Sequence, residues 1–276
     1  MSLDAATAPR PGPRPAPVAV LIPAYDDQPG LDATLAALAA EPGPLAVYAV
    51  DDGSTPPLAV PAACGPHRVE ALRLDPNRGI EHALNAGLER ILAAGHPLIA
   101  RLDCGDLPMP GRLARQAEAM EARPELGMIG TWARCVDERG RYLYTLRFPH
   151  EHDAMVRRQR YVPAMLHPTV MIRAAALREV GPYSDRFPTA EDYDLFVRMA
   201  ARHRVANIPE ALTEYIVSAH GLTLNKRRRN LASRLAVQRA HFATLDPHAY
   251  LGVARTLAFM VLPASWLGAV KRRLWR

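Results

Sequence analysis

A chain of 276 residues with 49% hydrophobic and 22% charged residues has apolar content for one large α/β domain or two small ones, which excludes a disordered protein. Its formal net charge of +6 is unevenly placed: from Lys226 onward stand eleven of the 34 Lys/Arg but one of the 28 acids, so the body is slightly acidic and the tail is basic. The three cysteines (Cys64, Cys104, Cys135) are odd in number and form no Cys-x-x-Cys pattern, which argues against a disulfide framework or a zinc site and fits a reducing cytoplasm.

Residues 1–17 lack the apolar core of a signal peptide and read as a disordered, Pro-rich lead-in. Val18 to Ile22 is an apolar run of strand length, followed by Pro23-Ala24-Tyr25-Asp26-Asp27 and a helix from about Gly30 to Ala40; strand, loop and helix open a βαβ unit. Leu45 to Val50 is a second buried strand and ends in Asp51-Asp52-Gly53-Ser54-Thr55. No GxGxxG follows the first strand and no Walker lysine is present, so a dinucleotide fold or a P-loop enzyme is not expected. Val69 to Leu74 is the third strand, and Asn77-Arg78-Gly79 leads into a helix that runs to about Ala94. The fourth strand, Pro97 to Leu102, breaks into Asp103-Cys104-Gly105-Asp106. In a parallel sheet these strand ends share one edge, where open α/β sheets bind ligands, so Asp52, Asp103 and Asp106 should converge there with Tyr25. Two carboxylates in such a loop suit a hard divalent cation; alternatively they form an Asp-rich turn capping the helix that begins near Pro110.

After that helix, which ends near Ala122, Gly127 to Val136 and Arg141 to Phe148 flank Asp137-Glu138-Arg139-Gly140, a hairpin pattern. Asp153 to Arg160 reads as helix, and Thr169 to Ile172 as a short strand after His167-Pro168. Thr189 to Asp194 opens a helix to about His203; Thr189-x-x-Asp192 is by itself an N-cap pattern with acids in the first turn. Leu212 to Val217 is the last strand, followed by a polar loop containing His220. Lys226 begins a tail helix. Thr256 to Val270 is uncharged, but as a helix it spans about 22 Å, short of the roughly 30 Å hydrocarbon core, and Pro263 interrupts it. It reads either as an interfacial helix anchored by Trp266, Trp275 and Lys271-Arg272-Arg273, or as an apolar helix completing the core or a dimer interface.

VLIPAYDD, YAVDDGST, NRGIEHALNAGL, RLDCGD, HPTVMIR and TAEDYDLFVR, in this order and at these separations, resemble the family 2 glycosyltransferases of GT-A fold, over about Val18 to His220. The resemblance implies a Rossmann-like, mostly parallel α/β sheet with helices on both faces and a helical C-terminal extension. It divides the chain into a nucleotide-sugar-binding half (18–110), an acceptor-binding and catalytic half (111–225) and a basic helical tail (226–276). It implies that Pro23, Ala24 and Tyr25 line the base of the donor, that Asp52 reads the base, that Arg78 lies near the nucleotide, and that Asp103 is the first acid of an Asp-x-Asp motif holding the ribose and a Mg²⁺ or Mn²⁺ ion. The second motif position is Gly105, with Asp106 one place later, so metal ligation by Asp103 and Asp106 requires the loop to bend.

Glu191-Asp192 matches the family's acidic pair, with Asp192 as the base of an inverting transfer. His167 and His220 are weaker candidates for contact with the sugar, acceptor or diphosphate. The implied partners are a nucleotide diphosphate sugar, UDP-linked by preference, and a glycan or lipid-linked acceptor in cell-envelope polysaccharide synthesis. The expected place is the cytoplasm, peripheral on the inner face of the membrane. Competing readings are a catalytically degenerate scaffold and a sugar nucleotidyltransferase, for which PAYDDQPG lacks the Gly-rich phosphate loop. Nucleic-acid binding is not expected, because the tail's bases stand in blocks without interleaved aromatics.

Overall fold

The computed structural model of the chain describes residues 18–217 and 227–262. The Pro-rich lead-in, the loop with His220 and the end of the tail lie outside the described residues. In chain order the elements are β1 (Val18–Ala24), α1 (Gln28–Leu38), β2 (Ala46–Asp52), β3 (Ala63–Cys64), β4 (His67–Leu74), α2 (Ile80–Ala93), β5 (Leu98–Arg101), β6 (Leu107–Pro108), α3 (Arg112–Ala122), β7 (Leu126–Val136) and β8 (Tyr142–Leu146). They continue with α4 (His152–Gln159), a single 3-10 turn (His167–Thr169), β9 (Met171–Arg173), α5 (Ala174–Val180), α6 (Glu191–Arg202), β10 (Arg204–Ile216), α7 (Arg227–Ala240) and α8 (Pro247–Val261).

The strands build one sheet in the order β3-β4-β2-β1-β5-β9-β7-β10-β6, with β8 paired to β7. The run β4-β2-β1-β5 is parallel, as intervening helices require. The second half departs from the expected mostly parallel sheet. β9 lies antiparallel between β5 and β7, and β8 is antiparallel on the far part of β7, so the crossover through α4 joins two strands that both oppose β7. β7 and β10 are again parallel to each other. The carboxyl ends of β1, β2, β5, β7 and β10 therefore share one edge, although the sheet is mixed.

Alternate residues of the central strands feed two cores. Leu21, Val50 and Ile99 pack with Leu84, Leu88 and Ile91 of α2 and with Leu195, Phe196 and Met199 of α6. Val20, Ile22 and Ala100 pack on the other face with Leu31, Leu35 and Leu38 of α1 and Leu113, Ala117 and Met120 of α3. Strands covered on both faces read as continuous apolar runs, which is how VAVLI and LIA stand out in the sequence. α2 lies so close to β1 that a Cβ on Gly87 would come within 2.2 Å of Leu21 Cδ1. This docking puts the first turn of α2 against the end of β2.

β10 begins at Arg204, directly after α6, well ahead of the Leu212 start expected from periodicity; Pro209 breaks the alternation, and register shifts between Ile208 and Thr213 mark the irregularity. β6 pairs with β10, so the one sheet runs across residue 110. α7 and α8 form a helical pair docked on α6, with Asp194 accepting from His241 Nε2 at 2.8 Å. A Gly87→Val substitution should overpack the α2–β1 contact and cost about 1–3 kcal/mol, read as a lower urea midpoint with unchanged slope.

Candidate active site at the carboxyl edge of the sheet

The loops after β1 and β2 are tied together. Asp26, in the left-handed region (φ +49°) that a short polar side chain tolerates, donates its N–H to Ser54 Oγ and accepts Thr55 N–H on Oδ1, both at 2.9 Å. This leaves Tyr25 projecting, 52% exposed, just past the buried Pro23 and Ala24. Burial raises the Asp51 carboxyl's proton affinity, but hydrogen bonds from Ser54, Leu58 and Arg73 outweigh it and hold the group below the usual range.

Asp52 faces the start of α2. Its two carboxylate oxygens accept Arg78 N–H and Gly79 N–H at 2.9 Å each, and its carbonyl accepts Asn77 Nδ2. The acid expected to read the base thus also fixes the Asn77–Gly79 turn, with Arg78 exposed. A carboxylate offers about four acceptor positions, of which two are used here, so capacity for about two more donors remains.

β5 ends in Arg101, whose side chain is 2% exposed and ion-paired with Asp103. Its Nε and Nη1 are buried without partners. Its charge also favours the ionised forms of Asp106, Glu191 and Asp192. Acids from two distant stretches of chain are therefore gathered around one buried cation. Beneath it His167 Nε2 meets Tyr183 Oη at 2.7 Å, and the imidazole stands edge-on to Phe196. Burial, and next the charge of Arg101, push His167 well below its ordinary pKa, so the ring is neutral. Sequence reasoning had offered His167 to the sugar or acceptor; the structure buries it in the floor behind Arg101 instead.

The paired role expected for Asp103 and Asp106 also needs correction. Gly105 turns with φ +96°, and its N–H is held by Thr34 Oγ1 at 3.0 Å. The following Asp106 points inward, where Oδ1 accepts Ile216 N–H at 3.2 Å and Oδ2 is buried without a partner. Burial, and next the charge of Asp103, push Asp106 up to about 8, so it keeps its proton at neutral pH. A divalent cation would find Asp103 already engaged with Arg101, Asp106 turned toward β10, and no carboxylate at position 105. Among the described residues no three His, Cys, Asp or Glu side chains form a cluster able to hold a metal ion. The residues present do not fit a two-carboxylate metal site.

α6 opens the other side. Its N-cap is Ala190, with no side-chain cap, and Thr189 sits in the left-handed region at φ +68°. The capping pattern Thr189-x-x-Asp192 is therefore not used. A β-branched residue in that conformation carries strain of about 1–3 kcal/mol, which is characteristic of functional sites. Glu191 is buried, with Oε2 lacking a partner; burial, and next the charge of Asp192, push it up to about 7. Burial also raises Asp192, by more than the Tyr193 N–H on its Oδ1, at 2.7 Å, and the Arg101 charge lower it, although the side chain stays partly exposed. Both neighbouring carboxyls are thus raised and titrate as a pair, and Asp192 is the member that reaches solvent. His220 lies outside the described residues. Arg101 and Tyr183 were missed from the sequence; the available signal was an arginine inside an otherwise apolar strand, which is rarely buried without a paired charge.

Residues 19–181 match the family model described as "Glycosyl transferase family 2". The amylovoran biosynthesis glycosyltransferase AmsE of Erwinia amylovora is 34% identical over 156 residues, 56% of each chain. The O-antigen biosynthesis glycosyltransferase WbnJ of Escherichia coli is 30% identical over 123 residues, 44% of this chain and 47% of that one. The match thus spans about half the length of these relatives. Residues 1–349 of S. aureus TarS, solved with UDP-GlcNAc, superpose with a TM-score of 0.65 at 17% identity, covering 88% of this chain and 72% of that one. The mannosyltransferase PcManGT of Pyrobaculum calidifontis, solved with GDP-Man and Mn²⁺, gives 0.62 at 19% identity, covering 98% and 83%. At these identities the two structures establish the GT-A-type fold.

Two outcomes follow from the charge cluster. Arg101→Met leaves Asp103 without its counter-charge and should cost about 3 kcal/mol, the lower end for a broken buried pair because Asp103 is about one-third exposed; in urea unfolding, Asp103→Asn should recover part of that loss. Between the ordinary glutamate pKa and about 7, the folded chain keeps a proton on Glu191 that the unfolded chain has released. Stability should therefore fall as pH rises through that window, and Glu191→Gln should make the slope of Tm against pH shallower.

Proposed function

Because this chain belongs to glycosyl transferase family 2, we propose that it is an inverting glycosyltransferase of hexosyltransferase type, moving a sugar from a nucleotide diphosphate sugar to a hydroxyl of a saccharide or lipid-linked acceptor. The observation that carries this reading is the Glu191–Asp192 pair at the start of α6, two neighbouring carboxyls within range of the Arg101 charge, of which Glu191 is buried and Asp192 is partly open to solvent. The names of the amylovoran and O-antigen relatives support a role in cell-envelope polysaccharide synthesis.

In this reading the acceptor hydroxyl donates to the Asp192 carboxylate. As its oxygen bonds to the anomeric carbon, the proton passes to Asp192, and the bond from that carbon to the diphosphate oxygen breaks on the opposite face, which inverts configuration. Pro23, Ala24 and Tyr25 line the base, Asp52 contacts it while holding the start of α2, Arg78 faces the diphosphate from that turn, and Asp103 binds the ribose. A UDP-sugar is the preferred donor, as in the TarS complex, with a GDP-sugar as the alternative that PcManGT represents. A Mg²⁺ or Mn²⁺ ion, if bound, would supply charge neutralisation to the leaving diphosphate, with Asp103 as the one motif carboxylate able to approach it. Since Asp106 faces inward and position 105 has no side chain, no step here is assigned to the metal, and EDTA should lower donor affinity by less than about tenfold. The reaction is placed at the inner face of the cytoplasmic membrane; no helix among the described residues is long and apolar enough to cross a membrane.

The altered Asp-x-Asp motif favours one second reading, a chain that binds nucleotide sugars without transferring them. Thermal-shift measurements across a panel of nucleotide sugars would identify the donor, since a ligand that binds only the folded state stabilises it by RT ln(1 + [L]/Kd). With that donor, Asp192→Asn should melt and bind normally while release of the nucleoside diphosphate falls about 10²–10⁴-fold. In the unmodified chain the rate should drop as pH falls through the raised pKa of Asp192. Transfer retained by Asp192→Asn would remove the mechanism, and absence of any turnover by the unmodified chain would favour the binding protein.

A further inference from the structure

α8 is built inside out. Its buried residues are Ala249, Gly252 and Thr256, small or polar, on one stripe. Val253, Phe259 and Met260 are half-buried, but four large apolar residues stand away from the protein in the open: Tyr250 at 54%, Leu251 at 57%, Leu257 at 46% and Val261 at 85% exposure, following Leu245. A helix that merely completed a core would turn these side chains inward. The orientation is fixed by the docking contacts. A Cβ on Gly252 would come within 1.8 Å of the Arg160 carbonyl oxygen, so no larger residue fits that line of contact. Asp246 caps His248 N–H at 2.9 Å and binds Arg160 Nε at 2.8 Å, and Tyr161 Oη meets His248 Nδ1 at 2.6 Å. Arg227 reaches the carbonyls of Phe259 and Leu262 from α7. The helix cannot roll its apolar stripe inward without breaking all of these.

The segment that carries this stripe is strongly basic in sequence, with eleven Lys/Arg and one acid from residue 226 onward. Arg228, Arg229 and Arg239 of α7 are exposed, Arg255 stacks over the Phe259 ring, and the sequence ends with Lys271, Arg272, Arg273 and Arg276. The single acid from residue 226 onward, Asp246, is engaged by Arg160. A second copy of the same face would bring these bases against one another, which disfavours self-association. An occupant that is apolar inside and anionic outside matches both features. We propose that the outward face of α8 lies on an anionic lipid bilayer surface, with Tyr250, Leu251, Leu257 and Val261 in the headgroup boundary and the exposed Arg228, Arg229, Arg239 and Arg255 of the helical pair on acidic phosphates. The inference goes beyond sugar transfer and does not depend on it. α6, which carries Glu191 and Asp192, packs directly on α7, so such a surface would lie one helical layer from the acid pair.

The test is co-sedimentation of the full chain with vesicles of phosphatidylcholine alone or mixed with phosphatidylglycerol, alongside Leu251→Glu/Leu257→Glu. Both positions are exposed, so the variant should melt like the unmodified chain; should it melt early, Leu251→Ser/Val261→Ser reads the same face. The expected result is pelleting with phosphatidylglycerol vesicles, weakened by salt, absent with phosphatidylcholine, and reduced about tenfold or more by the substitutions. An unmodified chain that stays in the supernatant, or variants that pellet equally, would overturn the proposal. So would light scattering without vesicles showing a dimer that the substitutions dissociate, since the face would then belong to a second copy. Donor binding by thermal shift, run on the same samples, separates failure here from failure of the transferase reading.

Discussion

Arg101 lies at the end of a central strand with Asp103 against it and Asp106, Glu191 and Asp192 within range of its charge. Burying a guanidinium is costly, and two of its nitrogens have no partner, each worth about 1–3 kcal/mol of lost hydrogen bonding. A buried ion pair is therefore a poor route to stability; an apolar pair of similar size would often do as well. What the arginine supplies is a fixed positive centre that lets four acids approach one another. His167 cannot take over this function, because burial beside the same cation keeps it neutral. The acids respond differently according to how deeply each is buried and which amides reach it, and those differences distinguish a proton-holding carboxyl from an ionised one.

The sheet delivers these groups by its topology. β1, β2 and β5 are parallel neighbours, so their loops open on one edge, and Asp52 locks the loop between β4 and α2 in place through the amides of Arg78 and Gly79. β9 reverses direction between β5 and β7, yet it leaves the carboxyl ends of β7 and β10 on that same edge. This is why Asp106, just past β5, can reach an amide of Ile216 at the end of the last strand. The insertion of β9 also carries His167 and Thr169 beneath Arg101, where the Arg101 N–H donates to the Val170 carbonyl at 2.9 Å.

Much of this was legible in the sequence, for definable reasons. VAVLI and LIA are apolar on both faces, so they read as central strands, and the acids that follow them read as strand-end loops. Asp103, Asp106 and the Glu191–Asp192 pair lie within range of one buried cation, Arg101. The direction of Asp106 was not legible, since a one-residue offset in a loop is resolved by the left-handed turn at Gly105 and by a strand far away in sequence. Arg101 was hidden because one charged letter in an apolar run does not say whether it snorkels or is buried with a partner. Thr189 fits a capping pattern as well as a strained turn, and only tertiary contacts choose between them. In the tail, the uncharged run from Thr256 does not say on which side of a helix the protein lies.

The tail helices bear on the chemistry through α6. Its first turn holds two acids in the site and a third, Asp194, on the other side, where the carboxylate takes His241 of the segment after α7 and Arg198 of its own helix, both at 2.8 Å. Hydrogen bonds from His241 and Arg198 outweigh the burial that would otherwise raise Asp194 and hold it below the usual range, while Glu191, three residues earlier, is pushed up to about 7. Tyr193, between them, donates its hydroxyl to the Gln159 carbonyl at the end of α4. A helix pinned at Asp194 and Tyr193 cannot swing its first turn away from Arg101, nor relax the left-handed Thr189 that leads into it. The strain at Thr189 is thus held by contacts that involve the C-terminal extension, which makes that extension part of the support for the acid pair.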